Sequence, residues 1–168
     1  MSDLTIRSYE PQDLDACRAL WVELTDQHRK VYADPTIGGD RPGLHFDRAL
    51  ERTGAGRMWL ALDEGRIVGM VGMLADGEDA EIDPVVVTAG HRGRGVGRAL
   101  VEHVLAEARR LGMRFLSVKP VARNVEALRF YHHVGFRTLG FVELFMDLQK
   151  GEDAWAPGPD LFDLPWLY

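Results

Sequence analysis

Two hydrophobic periods divide the chain. Leu4-Thr5-Ile6-Arg7-Ser8-Tyr9 alternates apolar and polar residues, which predicts a half-buried strand. Glu10-Pro11-Gln12-Asp13 then places a proline and acids where a helix begins, and Leu14, Cys17, Leu20, Trp21 and Leu24 recur at helical spacing up to about His28. Residues 30–57 are the least patterned stretch. Their centre, Asp34 to Gly43, is rich in turn residues and reads as a loop, with a short helix over Leu44 to Arg52. Met58 to Leu62 and Ile67 to Leu74 read as strands joined by the hairpin turn Asp63-Glu64-Gly65-Arg66. A second turn, Asp76 to Asp79, leads into a strand over Glu81 to Val87.

Beyond that strand the period returns to the helical one. Val96, Leu100, Val101, Val104, Leu105 and Ala108 form the apolar face of a helix over Gly97 to Leu111, stopped by Gly112. Phe115 to Lys119 is predicted as a strand and Asn124 to Val134 as a helix, with Asn124 as its cap and Gly135 as its stop. Arg137 to Leu139 and Val142 to Leu148 read as the last strands. The final stretch, Gly151 to Tyr168, carries Trp155, Phe162, Trp166 and Tyr168 between prolines. That much aromatic surface is expected to pack on its own domain or on a second subunit rather than stay in water. The order of elements is an α/β mixture with a largely antiparallel sheet, since only strands joined by a helical crossover need be parallel.

Composition narrows the class. The 168 residues are 46% apolar and 27% charged, which suits a globular chain with its own core. No apolar run approaches bilayer length and Met1 to Thr5 lacks a signal-peptide pattern, so a cytoplasmic location without membrane association is expected. Cys17 is the single cysteine, excludes an intrachain disulfide and reads as a small core residue. The histidines at 28, 45, 91, 103, 132 and 133 show no metal-ligand spacing, so no metal is expected. The net charge of −6 is unevenly spread. Residues 91–137 hold ten Lys/Arg against three Asp/Glu, a local charge of +7, and the remainder carries −13. One basic segment in an acidic chain does not suit a nucleic-acid-binding protein. It suits a cradle for an anionic ligand.

The basic segment opens with the chain's most informative stretch. Val85-Val86-Val87 runs through Thr88-Ala89-Gly90-His91 into Arg92-Gly93-Arg94-Gly95-Val96-Gly97-Arg98, which opens the helix. Glycines let backbone N–H groups approach an anion, the helix start adds donors without intrahelical partners, and the arginines add permanent charge. The loop is not a P-loop, because no Lys follows its glycines. It is not a dinucleotide fingerprint either: Arg98 stands where the third glycine should, and Met113-Arg114-Phe115-Leu116, about twenty residues on, holds no acid for a ribose. Arg92 to Gly97 instead matches R/Q-x-x-G-x-G/A. Further along, Asn124-Val125-Glu126-Ala127-Leu128-Arg129-Phe130-Tyr131, followed by Gly135-Phe136, matches N-x-x-A-x-x-F-Y-x-x-x-G-F.

In both motifs, in their order and in their context, the chain resembles the GCN5-related N-acetyltransferase (GNAT) family over roughly residues 4–150. The resemblance implies an α/β GNAT fold: a mixed, mostly antiparallel central sheet with a splayed parallel strand pair, flanked by helices. It implies an acetyltransferase domain over 1–150 followed by a 151–168 extension. It further implies an acetyl-CoA-dependent N-acetyltransferase that moves an acetyl group to a primary amine by direct attack in a ternary complex. The amides of Arg92, Gly93, Arg94, Gly95, Val96, Gly97 and Arg98 would hold the CoA pyrophosphate, and the backbone of Val85, Val86 and Val87 would pair with the pantetheine arm. A backbone N–H near Val86 would polarise the thioester carbonyl. Asn124 would contact CoA as well as cap its helix. Tyr131 would protonate the departing thiolate, its alternative role being an aromatic packed beside the cofactor.

The base is not marked by a motif. Asp76, Glu78, Asp79, Glu81 and Asp83 crowd the approach to Val85, and alternation puts Glu81 and Asp83 on one sheet face. Glu81 is the first candidate for the base, against the plainer reading of a solubilising hairpin. The acceptor is left open between a small cationic amine and a peptide amine, an N-terminus or lysine. A non-catalytic acyl-CoA-binding module is the competing class, and a homodimer a candidate assembly.

Overall fold

The computed structural model describes residues 4–149, 155–161 and 163–167. The chain divides into two compact units, Met1–Lys119 and Pro120–Tyr168. The first is built on a five-stranded sheet: β1 (Thr5–Ser8), β2 (Met58–Asp63), β3 (Arg66–Asp76), β4 (Asp79–Val87) and β5 (Phe115–Val118), in spatial order β1-β2-β3-β4-β5. The first four strands are antiparallel neighbours, and β4 and β5 are parallel. The crossover between that parallel pair is the helix α3 (Val96–Arg110), as a parallel connection requires.

Local chemistry explains the turns. Glu64 (φ 49°) and Gly65 (φ 76°) both take positive φ, the geometry of a two-residue hairpin turn between β2 and β3. Helix α1 (Leu14–Tyr32) runs four residues beyond the expected His28, because nothing breaks it before Ala33 turns left-handed at φ 53°. Its entry is held by Asp13, whose buried carboxylate takes both Arg7 guanidinium nitrogens (2.7 and 2.8 Å) and the Glu10 N–H (2.8 Å). The Arg7 hydrogen bonds hold the Asp13 carboxyl below the usual carboxylate range. Helix α2 (His45–Thr53) is the short helix read from Leu44 to Arg52.

The core lies between α1, α2 and the sheet, around Tyr9, Cys17, Leu20, Phe46, Met58, Leu60, Met70 and Val86. Each fully buried aliphatic side chain there contributes roughly 1.5–3 kcal/mol over exposure. Cys17 is among them, and burial pushes its thiol up to about 12, so it stays a thiol and packs as a small apolar group. Helix α3 seals another part of the sheet with Val96, Leu100, Val101, Val104 and Ala108.

One irregularity shapes β4. Pairing of β3 with β4 shifts register between Val71 and Met73, where Gly72 faces Asp83 and the cis-linked Pro84. A Cβ on Gly72 would lie 2.5 Å from the Asp83 carbonyl oxygen, so only glycine fits. The bulge was missed in the strand pattern, although a proline inside a strand is a signal for one.

The second unit contains α4 (Val125–His133) and a hairpin of β6 (Pro157–Leu161) and β7 (Leu164–Leu167). The strands expected over Arg137 to Leu139 and Val142 to Leu148 are not formed: a strand exists through its ladder, and residues 137–149 pair with no described strand. Phe145 instead meets Trp155 edge-on at 5.0 Å, with the Arg123 guanidinium 5.7 Å from the Trp155 ring. The described part of the aromatic extension is thus folded. Phe162 and Tyr168 lie outside the described residues.

Candidate functional site

The parallel pairing of β4 with β5 ends at Ile82–Val118, while β4 continues to Val87 beside β3. Among the described residues, no strand pairs with the β5-side edge of Asp83 to Val87. Strand alternation says which groups face it. Thr88 N–H donates to the Val68 carbonyl on β3, so the N–H and C=O of Val86 also point toward β3. Those of Val85 and Val87 point to the open edge, on either side of Val86. Arg92 Nε already donates to the Val87 carbonyl at 2.9 Å.

This edge runs into the glycine loop. Gly93 (φ 72°) and Gly95 (φ 88°) are left-handed, and a Cβ on either would meet nothing within 4 Å, so the space over the loop is open. The first helical hydrogen bond of α3 runs from Ala99 N–H to the Gly95 carbonyl, which leaves the N–H groups of Val96, Gly97 and Arg98 ahead of the ladder. Arg92, Arg94 and Arg98 are exposed around them, with Arg98 Nε also donating to Glu102 at 2.7 Å. A run of amides at a helix start, with arginines exposed around it and open space at the Gly93 and Gly95 Cβ positions, has the chemistry to accept a phosphate or pyrophosphate.

Two braces hold the loop, and neither was legible in the sequence. Glu23 on α1 accepts from Thr88 Oγ (2.7 Å) and from the Ala89 N–H (3.0 Å). His91 has its Nε2 3.3 Å from the Asp63 carboxylate at the end of β2. The partners are tens of residues apart, so no local motif could have revealed them.

The other face of β4 carries charge. Its residues alternate, with Ala80, Ile82, Pro84 and Val86 buried and Glu81, Asp83, Val85 and Val87 half-exposed. Asp83 Oδ2 lies 3.3 Å from an Arg52 guanidinium nitrogen in the last turn of α2. Glu81 Oε2 pairs with Lys119 Nζ just past β5. Burial pushes the Asp83 carboxyl above the ordinary carboxylate range. Arg52 and Lys119 oppose that rise and Glu81 adds to it, so all four charges share one local field.

The remaining motif residues lie in the second unit. Asn124 Oδ1 accepts from the Ala127 N–H at 3.0 Å, a true N-cap of α4. The Tyr131 ring meets Phe130 and Phe136 edge-on, at 5.0 and 5.8 Å. Both phenylalanines are half-buried. No group of three His, Cys, Asp or Glu able to hold a metal occurs among the described residues.

The family model of the "Acetyltransferase (GNAT) family" matches residues 16–136, spanning the strand, the loop, the charged face and α4. The chain belongs to the GNAT acetyltransferase family. N-acetyltransferase 8 of Rattus norvegicus is 32% identical to this GNAT chain over 135 residues, 77% of this chain and 59% of that protein. N-acetylaspartate synthetase of Xenopus tropicalis is 31% identical over 87 residues, 51% of this chain and 32% of that protein. The chain thus spans only part of the length of these relatives. Among solved structures, the aminoglycoside N-acetyltransferase AAC(6')-Iy in complex with CoA superimposes with a TM-score of 0.64 at 17% identity, covering 88% of this chain and 97% of that one. That likeness is one of fold, and it agrees with the mixed sheet and its parallel β4–β5 pair.

Proposed function

We propose that this GNAT chain is an acetyl-CoA-dependent N-acetyltransferase that passes an acetyl group directly to a primary amine. The observation that carries the reading is the continuity of an open strand edge, Val85 to Val87, with an unroofed amide cradle at the start of α3. An extended arm ending in a pyrophosphate needs these two features in that order. Bound acetyl-CoA would supply a thioester carbonyl for the amine to attack, a C–N bond forming as the C–S bond breaks.

The residues divide the work. The amides of Gly93 to Arg98 hold the pyrophosphate, and Arg92, Arg94 and Arg98 screen its charge. The amides on the open edge, at Val85 and Val87, hold the arm and donate to the carbonyl as negative charge develops on it. Asp83 and Glu81 face the amine. Asp83, whose proton affinity burial raises, takes the proton. Asn124 and Tyr131 enter on their motif: Asn124 as a CoA contact and cap, Tyr131 as the acid that protonates the thiolate. A cytoplasmic enzyme with its acetyltransferase domain over 1–150, and pairing of two copies through the extension, complete the reading.

The test is calorimetric titration of the protein with acetyl-CoA, followed by an amine screen that records thiol release. Micromolar binding with amine-dependent release is expected. Binding without release would indicate a sensor module, and no binding of any CoA ester would overturn the reading. Glu23 offers a second check, as a positioning residue. Glu23→Gln can still accept from the Ala89 N–H and donate to Thr88 Oγ, but it removes the charge that strengthens both hydrogen bonds. A rise in the acetyl-CoA KM of about three- to tenfold is expected, the size of one ordinary hydrogen bond of about 0.5–1.5 kcal/mol. Loss of kcat without that rise would place Glu23 elsewhere in the reaction.

A further inference from the structure

We propose that the acceptor carries a carboxylate beside its amine, as a free α-amino acid does, and that Arg52 and Lys119 receive that carboxylate while Asp83 faces the amine. The inference rests on the acetyltransferase reading and sharpens its acceptor.

The starting point is a balance of charge. Acids ahead of Val85 suggest attraction for a cationic amine, such as a polyamine, an aminoglycoside-like compound or an amino-acid amine. The structure gives Glu81 and Asp83, the two β4 carboxylates nearest Val85, a cation each. Arg52 stands at Asp83 and Lys119 at Glu81. Two carboxylates and two cations cancel, and a polycation arriving there would meet two like charges. A zwitterion would meet its complement at both ends.

The second step concerns what these pairs are for. The Arg52 and Lys119 side chains are 61% and 74% exposed. Ion pairs so exposed contribute little to stability. Cations this exposed turn from a protein carboxylate to one on a ligand with little further desolvation. A guanidinium matches a carboxylate in a two-pronged, planar fashion, which suits Arg52 to this task.

The third step is placement. Arg52 comes from the end of α2, Asp83 from the bulge in β4, and Lys119 from just past β5, where the parallel pair parts. The charges thus surround Asp83 on the stretch of β4 that leads to the open edge at Val85. Proton acceptor, carboxylate receptor and strand edge succeed one another along one strand.

The experiment uses matched acceptors that differ only in the carboxylate: L-phenylalanine against 2-phenylethylamine, and L-lysine against cadaverine. Thiol release is measured for the full chain and for Arg52→Gln and Lys119→Gln. For the wild type, kcat/KM is expected to favour the amino acid of each pair by about tenfold to a hundredfold, the range one hydrogen bond to a charged group supplies. In either variant the ratio between pair members should collapse toward unity, mainly through the acceptor KM, with CoA calorimetry as the control for folding. A wild type that prefers the decarboxylated amine overturns the inference, as does a ratio that survives both substitutions. In those cases amines are still acetylated and the acetyltransferase reading stands. Binding of acetyl-CoA without release to any amine overturns both.

Discussion

Replacing Asp83 with asparagine is expected to lower kcat by about 10²- to 10³-fold, the contribution typical of a positioned base, with acetyl-CoA affinity nearly unchanged. Asparagine keeps the shape and a hydrogen-bond acceptor for Arg52 but cannot take a proton. The pH profile gives the sharper readout. A base must be unprotonated, so wild-type activity should rise with pH through the Asp83 pKa, which burial lifts above the ordinary carboxylate range. In Asp83→Asn that limb should vanish and leave only the rise due to ionisation of the acceptor amine. Stability should move the other way. A carboxyl whose pKa is raised by folding stabilises the fold most below its unfolded pKa, and that contribution is lost as pH rises through the folded value. At neutral pH this half-buried charge is a net cost, even with Arg52 and Lys119 beside it. The variant's Tm is therefore expected to equal or exceed the wild type's. A fall in Tm alongside activity would mark Asp83 as structural, and loss of the same pH limb in Glu81→Gln alone would move the base to Glu81.

That Asp83, rather than its neighbour, draws this prediction shows where sequence reading reaches and where it stops. Features made by adjacent residues were legible. Glu64-Gly65 makes its turn with two positive φ values, Asn124 caps its own helix, and Gly93 and Gly95 shape their loop without help from elsewhere. Burial of Cys17 and the apolar face of α3 followed from periodicity, because a helix that covers a sheet must repeat its apolar positions. The charges of the site were not legible in the same way. Glu81 and Asp83 are equivalent by alternation, and what separates them is Arg52, Lys119 and a bulge at Gly72, all contributed by other elements. Glu23 reaches Thr88 and Ala89 from α1, more than sixty residues away in sequence, for the same reason. The segment over 137–149 failed differently. An alternating pattern states a preference for extended chain, while a strand also requires a partner edge, which no local pattern encodes.

The loop offers the second large effect, and it can be separated from simple destabilisation. Gly95→Val is expected to weaken acetyl-CoA binding by at least about tenfold, since two or more charge-assisted hydrogen bonds of about 1.5–3 kcal/mol each depend on this residue's conformation. Gly95 is the N-cap of α3 at φ 88°, ψ −6°, where a side chain costs about 1–2 kcal/mol. A β-branched residue will escape that strain by rotating toward negative φ, and the amides of Val96 and Gly97 will turn with it. The added atoms meet no protein atom within 4 Å of the Cβ position, so the damage is not a clash within the fold. They enter the open space above the cradle, where the anion belongs. Gly77→Val supplies the comparison. Gly77 also has positive φ, at 58°, and open space around its Cβ position, but it lies in the β3–β4 turn, at the end of β4 opposite Val87. Both variants should lose a few degrees of Tm, since about 1 kcal/mol shifts a chain of this size by about 2–4 °C. Only Gly95→Val should lose CoA affinity on calorimetric titration. Equal losses in the two variants, or none in either, would mean that the amides ahead of α3 do not hold the pyrophosphate.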